Sequence, residues 1–381
     1  MQPLILNEEQ SLLRDSAVDF VAQRSPISRM RSLRDAGDDL GFDPTIWKEM
    51  ADLGWPGILI PEAYGGLGLG YAEMVVVLEE LGCALAPEPF LGTVLLGANA
   101  ILLGGSEAQK QEELPAVAAG ERFLALAHHE PGARHQIYRV QTKAVVDGDD
   151  FLLDGRKDLV LDGPGASKII IPARTSGEAD DREGITLFLV DADATGLTRT
   201  NQHLIDSRGA SMLDLQGVRV AANAVIGEVG AGAALLDAVL ERALVGLSAE
   251  MLGGMRTAFE MTTAYLRDRE QFGVKIGSFQ ALKHRAARMF VDVELARSTV
   301  MGAARAIDDQ NDEVAQLAAL AKGLLSASYV DVANEAVQMH GGIGMTDEHD
   351  IGFFLKRARS TELLFGDAAF HRNRWAELSG Y

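Results

Sequence analysis

Cysteine is almost absent from this chain of 381 residues: Cys83 is the only one. An internal disulfide and a cysteine-based metal cluster are thereby excluded. A single cysteine fits a reducing compartment, and the expected location is the cytoplasm. Long apolar runs are missing too. No stretch reaches the roughly 18 apolar residues that a spanning helix needs, so no membrane partner is expected. The opening Met1–Glu9 has neither the basic region nor the apolar run of a signal peptide. Positive charge is scarce as well. Lys and Arg total 35 against 55 Asp and Glu, a net charge of −20. That balance argues against nucleic acid as the main partner and is read first as a source of solubility. An anionic ligand would need locally clustered basic residues or helix N-termini.

Several familiar motifs are also lacking. Gly65–Gly70 is glycine-rich, but no strand leads into it with the spacing of a dinucleotide fingerprint. It reads as a tight loop requiring positive φ. His128 and His129 are adjacent and would point to opposite faces of a strand, so they cannot readily share an ion. His340, His349 and His371 are scattered, with no helical i, i+4 pairing. No metal site is expected, and no nucleophile elbow or Walker loop is found.

What is present divides into three textures, predicting domains over 1–121, 122–228 and 229–381. The first is helical. Asn7-Glu8-Glu9-Gln10 is an N-cap signature before the periodic run Leu12, Leu13, Ala17, Phe20 and Val21. Tyr71–Leu81 and Thr93–Leu103 continue the helical pattern, separated by proline- and glycine-rich breakers. The second zone is made of short apolar runs bounded by Gly, Asp and Pro. Val145–Leu153 folds around an Asp-Gly turn, and Lys168–Pro172, Ile185–Val190 and Leu213–Val220 are further strands. In the third zone Ala233–Leu266, Ala281–Ile307 and Val314–Met339 are long, apolar-faced helices with short links, which read as a bundle.

Two segments of the third zone carry a specific resemblance. Tyr265–Gln280, with Arg269, Gln271, Phe272 and Gly273 at its centre, is similar to the acyl-CoA dehydrogenase family. So is Gln338–Thr346, with Gly341 and Gly342. The likeness extends over nearly the whole chain, including Pro61–Gly70, Glu130–Ala133 and Leu153–Lys157. It implies an α+β fold: an N-terminal helical domain, a small middle β-barrel and a C-terminal four-helix bundle. It implies FAD as cofactor, an acyl-CoA as substrate and an electron-transferring flavoprotein as electron acceptor. It further implies that Arg269 and Gln271 meet the pyrophosphate of an FAD held mainly by a neighbouring subunit. The planar guanidinium suits that role because it gives paired, charge-assisted hydrogen bonds. Phe272, Ile276 and Gln280 would line the adjoining wall. Gly341 and Gly342 would admit close backbone approach, and Gln338 would add a polar contact.

The chain departs from the family where its own flavin ring would lie. His129 stands where a threonine usually precedes Glu-Pro. Leu159 and Leu161 occupy the places of a Trp-x-Thr motif. Phe365-Gly366-Asp367 replaces a common Glu-Gly-Thr, and phenylalanine cannot remove a proton. An alternative base position, counted back from Tyr265 without gaps, is Ala243. Glu241 is two residues from it, roughly 200° around the helix. Glu250 is seven residues away, on the same face but about 10 Å further along the axis. Its surroundings, Leu247–Gly253, are apolar, which disfavours a charged carboxylate as a general base near neutrality requires. Glu250 is therefore the candidate base and Glu241 the second, with a structural carboxylate as the plainer role for either. The half of the site that serves a neighbour is thus complete and the other half altered. That pattern resembles the small subunits of heteromeric acyl-CoA dehydrogenases, of the pimeloyl-CoA and bacterial steroid side-chain types. It implies a homo- or hetero-oligomer, a dimer or tetramer, with α2β2 among the options and flavins numbering half the chains. A subunit with no chemistry of its own, completing a partner's FAD site, is the alternative reading.

Overall fold

A computed structural model describes residues 5–381. By their contacts the described residues form two compact units: 5–32, 70–86 and 244–381, and 33–69 with 87–243.

In chain order the first helices are α1 (Glu8–Arg24), α2 (Ile27–Ala36), α3 (Pro44–Asp52), α4 (Tyr71–Cys83), α5 (Asn99–Gly104) and α6 (Glu107–Ala118). The capping box read from the sequence is present. Asn7 Oδ1 accepts from the N–H of Gln10, and Gln10 Oε1 accepts from the N–H of Asn7, at 2.8 and 3.1 Å. The predicted loop at Gly65–Gly70 has positive φ at Gly65 and Gly68. One expectation needs correction. Thr93–Leu103 is not a plain α-helix: Phe90–Ala98 is π-helical and only Asn99–Gly104 is α. The cause is close packing. The N–H of Gly92 donates to Asp162 Oδ2 at 2.7 Å, and a Cβ at Gly97 would stand 2.3 Å from the Leu124 side chain.

The β elements are β1 (Leu124–Leu126), β2 (Lys143–Asp147), β3 (Asp150–Leu161), β4 (Lys168–Arg174), β5 (Ile185–Asp191), β6 (Leu197–His203), β7 (Gly209–Ala221) and β8 (Val225–Ile226). They form one sheet in the order β6-β7-β3-β2-β4-β5-β8, with β1 added parallel to β4. The Asp-Gly hairpin is as expected: Asp147 pairs with Asp150 around Gly148, whose φ is 68°. A core of Phe151, Leu153, Ile169, Ile171, Phe188, Leu213 and Leu215 lies on one side of the alternating strands.

Helix α7 (Gly232–Asp268) leads into the hairpin β9 (Glu270–Gln271) and β10 (Val274–Lys275), then α8 (Gln280–Asp308), α9 (Val314–His340), α10 (Ile351–Leu363) and α11 (Ala368–Leu378). Helix α9 packs against α8, α10 and α11, while α4 packs on α1 and α8. Glycines let α4 and α7 approach closely. A Cβ at Gly253 would meet the Glu79 carbonyl at 1.8 Å, and one at Gly82 would meet the Glu250 carbonyl at 2.1 Å. Among the described residues no helix is long and apolar enough to cross a membrane.

Candidate functional site

The Arg269 segment is an exposed hairpin. The Arg269 N–H closes the last turn of α7 on the Tyr265 carbonyl at 2.9 Å. Gln271 pairs with Val274, and the intervening Phe272 and Gly273 have φ of 54° and 77°. Positive φ at both loop residues is the mark of a type I′ turn. Glycine adopts it freely, whereas a bulky residue is strained there. Phe272 is also 90% exposed. A strained, solvated phenylalanine gains a lone chain nothing; such features persist where another surface uses them. Glu270 is engaged by Lys275 at 2.8 Å. Arg269 is exposed, and its side chain has no ion-pair partner among the described residues. Ile276 is half-buried behind the hairpin, and Gln271 and Gln280 are exposed.

The second segment ends α9. Gln338 is exposed, and Gly341 turns the chain with φ of 65°. A Cβ at Gly341 or Gly342 would meet nothing within 4 Å. Backbone geometry alone demands glycine at 341. At 342 this chain demands nothing, so the bare backbone is open to approach from outside. The bases of the two segments are joined, because the Tyr265 ring stacks on that of His340 with centroids 4.6 Å apart. An unpaired guanidinium and open glycine backbone suit a pyrophosphate-bearing cofactor, so these residues fit FAD.

The altered half lies in the β domain. Glu130 is fully buried. Its carboxylate accepts from Lys157 Nζ at 2.5 Å and from the N–H groups of Gln141 and Thr142 at 2.6 and 3.1 Å. Burial pushes that carboxyl up, but the Lys157 charge and these bonds outweigh burial and hold it below the usual range. Burial pushes the Lys157 ammonium below its own usual range, against the pull of Glu130. Next to this pair, the Asp158 N–H donates to the His129 carbonyl at 3.0 Å. His129 follows β1 outside any strand, and burial lowers its pKa. Leu159 sits on a bulge of β3 with φ of 50°, and Leu161 is buried. Imidazole and isobutyl groups thus stand where the family pattern has hydroxyl and indole.

The candidate bases are placed as follows. Glu250 is on α7, its side chain 13% exposed, and it accepts from Arg357 Nη1 of α10 at 2.6 Å. The carboxylate in apolar surroundings expected from the sequence is thus bonded to an arginine of a neighbouring helix, as its structural role would have it. To take a proton it must compete with a buried arginine. Glu241 is half-buried on the same helix. Phe365 has φ of 57°, and its carbonyl accepts from His371 Nε2 at 2.9 Å. The sequence reading missed Arg357, which no local pattern marks. The histidines are scattered in sequence, yet His340 and His349 lie with ring centroids 4.5 Å apart.

Comparison with known proteins gives the family. Residues 7–121, 125–220 and 230–379 match the N-terminal, middle and C-terminal domain models of acyl-CoA dehydrogenase. The chain is 30% identical over 372 residues to the probable acyl-CoA dehydrogenase YngJ of Bacillus subtilis, covering 96% of this chain and 97% of that one. It is 29% identical to the caffeyl-CoA reductase-Etf complex subunit CarC of Acetobacterium woodii, covering 91% and 92%. Among solved structures it is similar to the ChsE4-ChsE5 complex of Mycobacterium tuberculosis, with a TM-score of 0.89, 27% identity and full coverage of both chains. With matches running from end to end, this chain belongs to the acyl-CoA dehydrogenase family, oxidoreductases that act on CH–CH groups.

Proposed function

We propose that this chain is a subunit of an FAD-dependent enzyme that desaturates an acyl-CoA between its α and β carbons and passes the electrons to an electron-transferring flavoprotein. The observation that carries this reading is the exposed Arg269, without an ion-pair partner among the described residues, on a strained hairpin joined at its base to the open Gly341–Gly342 backbone. Arg269 and Gln271 would hold the FAD pyrophosphate. Phe272, Ile276 and Gln280 would line the wall beside it, with Gln338, Gly341 and Gly342 opposite. Bound FAD supplies the acceptor for the hydride lost from the β carbon. All of these but the half-buried Ile276 are exposed, which supports a cofactor that a neighbouring subunit largely holds. The kinship with CarC supports the electron-transferring partner, and that with ChsE4-ChsE5 supports a second, different dehydrogenase chain in an α2β2 or related assembly. The lone cysteine supports a cytoplasmic setting.

For the α proton we assign Glu250 as base, with Glu241 as second candidate. Arg357 would hold the Glu250 carboxylate in one orientation. A second reading has a specific observation behind it. Glu250 is ion-paired, Phe365 cannot take a proton, and His129, Leu159 and Leu161 alter the ring half. In that reading the chain is a structural subunit that completes a partner's FAD site.

The visible spectrum of the chain purified alone, and after co-expression with a second acyl-CoA dehydrogenase chain, separates the readings. The proposal expects a colourless or weakly coloured chain alone, and a yellow complex that bleaches on adding acyl-CoA. Glu250→Gln is expected to cut the bleaching rate by about a hundredfold or more, the usual worth of a general base. An unchanged rate in both Glu250→Gln and Glu241→Gln removes this chain from the chemistry and leaves the structural reading.

A further inference from the structure

His340 is the last residue of α9, between Gln338 and Gly341, and it is buried. Its ring lies between two others. Tyr265 stacks on it at 4.6 Å between centroids, tilted by 29°, and His349 lies against it at 4.5 Å, tilted by 54°. His340 Nδ1 is 2.7 Å from the Ala336 carbonyl. A carbonyl only accepts, so Nδ1 carries the hydrogen and Nε2 the lone pair. That Nε2 is buried with no hydrogen-bond partner among the described residues. His349 is turned the other way, its Nδ1 accepting from the Ile351 N–H at 3.1 Å.

The placement matters more than the packing. Tyr265 supplies the carbonyl on which the Arg269 hairpin is founded. His340 immediately precedes the glycine turn. His349 belongs to the loop after that turn, and Arg31 of α2 ties this loop down by bonds to Asp347 and Asp350. The stack is thus a physical link between the two segments that face the cofactor. We propose that His340 is a positioning residue: its ring fixes the spacing of the Arg269 hairpin from the Gln338–Gly342 turn, and so sets how tightly this subunit grips FAD. The inference rests on the half-site reading above.

The link works with an uncharged ring. The titratable groups that touch the ring are Tyr265 from α7 and His349 from the loop, and the acidic residues beside His349 in the chain are Asp347, Glu348 and Asp350, of which Asp347 and Asp350 are bonded to Arg31 of α2. Burial lowers the His340 pKa; the Ala336 bond opposes this and His349 adds to it. The ring in the folded site therefore stays uncharged at the ordinary histidine pKa of 6.5, and the grip is lost only as pH falls through the lowered value.

The test is FAD dissociation from the assembled holoenzyme, followed by flavin fluorescence from about pH 8 down to about pH 4.5, well below the ordinary histidine value. At neutral pH His340→Ala should weaken FAD binding about tenfold, the worth of one well-placed ring contact. His340→Phe, which keeps a ring and cannot be charged, should stay within about threefold and abolish the acid weakening seen in the wild type. Should His340→Ala fail to assemble, the pH profile of His340→Phe decides: an acid limb identical to wild type overturns the proposal. Arg269→Ala is the control. If it weakens FAD binding while His340→Ala stays within about twofold, this inference alone is overturned. If Arg269→Ala has no effect, the half-site reading fails and the inference with it.

Discussion

Lys322 illustrates what a single buried residue can reveal. It is fully buried in α9, and its Nζ meets Ser326 Oγ at 2.6 Å, the Gly366 carbonyl at 2.7 Å and the Glu362 carbonyl at 3.0 Å. It thereby clamps the Leu364–Asp367 turn, where the family's common catalytic glutamate would stand and Phe365 stands instead. Burial pushes its pKa from 10.5 down to about 7, against the pull of Glu362 and Asp367. Between those values the unfolded chain binds a proton here that the folded chain does not, so stability rises with pH across that window. In Lys322→Met this contribution is gone. The stability difference, wild type minus variant, should therefore grow with pH in urea melts between about pH 7 and 9. A difference that does not change with pH would show that Lys322 stays charged. Nothing in the sequence around Lys322 announces this role: its partners are 4, 40 and 44 residues away.

At the scale of elements, the crossing of α4 and α7 fixes where Glu250 lies. The two helices touch backbone to backbone through Gly82 and Gly253, with Glu250 on one of the closest carbonyls. Arg256 of α7 crosses the same gap, bonding Glu79 at 2.8 Å and Glu80 at 2.5 Å. Gly253→Ala should force the helices apart and destabilise the protein by about 3 kcal/mol, at the upper end for overpacking. Thermal unfolding checks this, and a fall in Tm of less than about 2 °C would mean that the helices can shift cheaply. The elements themselves were largely legible. The apolar period marked α7, α8 and α9 nearly to their ends, and Asp147-Gly148 marked its hairpin. The π-helix at Phe90–Ala98 was not legible, because Asp162 and Leu124, which press on it, are distant in sequence.

For the whole molecule, the outward-facing residues argue for assembly. Phe272 is 90% exposed, so Phe272→Ser should leave Tm unchanged. It should nevertheless weaken association with the neighbouring subunit by at least about tenfold, as loss of an aromatic anchor does. Native mass spectrometry over a dilution series measures this, and unchanged dissociation would place the interface elsewhere. Met345, 79% exposed beyond the glycine turn, is a second apolar group facing away from the chain. The domain limits at 121/122 and 228/229 stand as a proposal for limited proteolysis to test, cuts being expected near them.

By itself the sequence determined the order of helices and strands, the family, and which segment would carry the arginine. These are encoded locally, in apolar period, capping residues, turn residues and contiguous motifs. Only the tertiary structure decided that Glu250 is held by Arg357, 107 residues on, that Tyr265, His340 and His349 form one stack, and that Arg269 stands without an ion-pair partner among the described residues. A pairing between distant residues depends on how helices cross and where a loop returns. The side-chain period of a segment states which face is buried, but not which residue it will meet there.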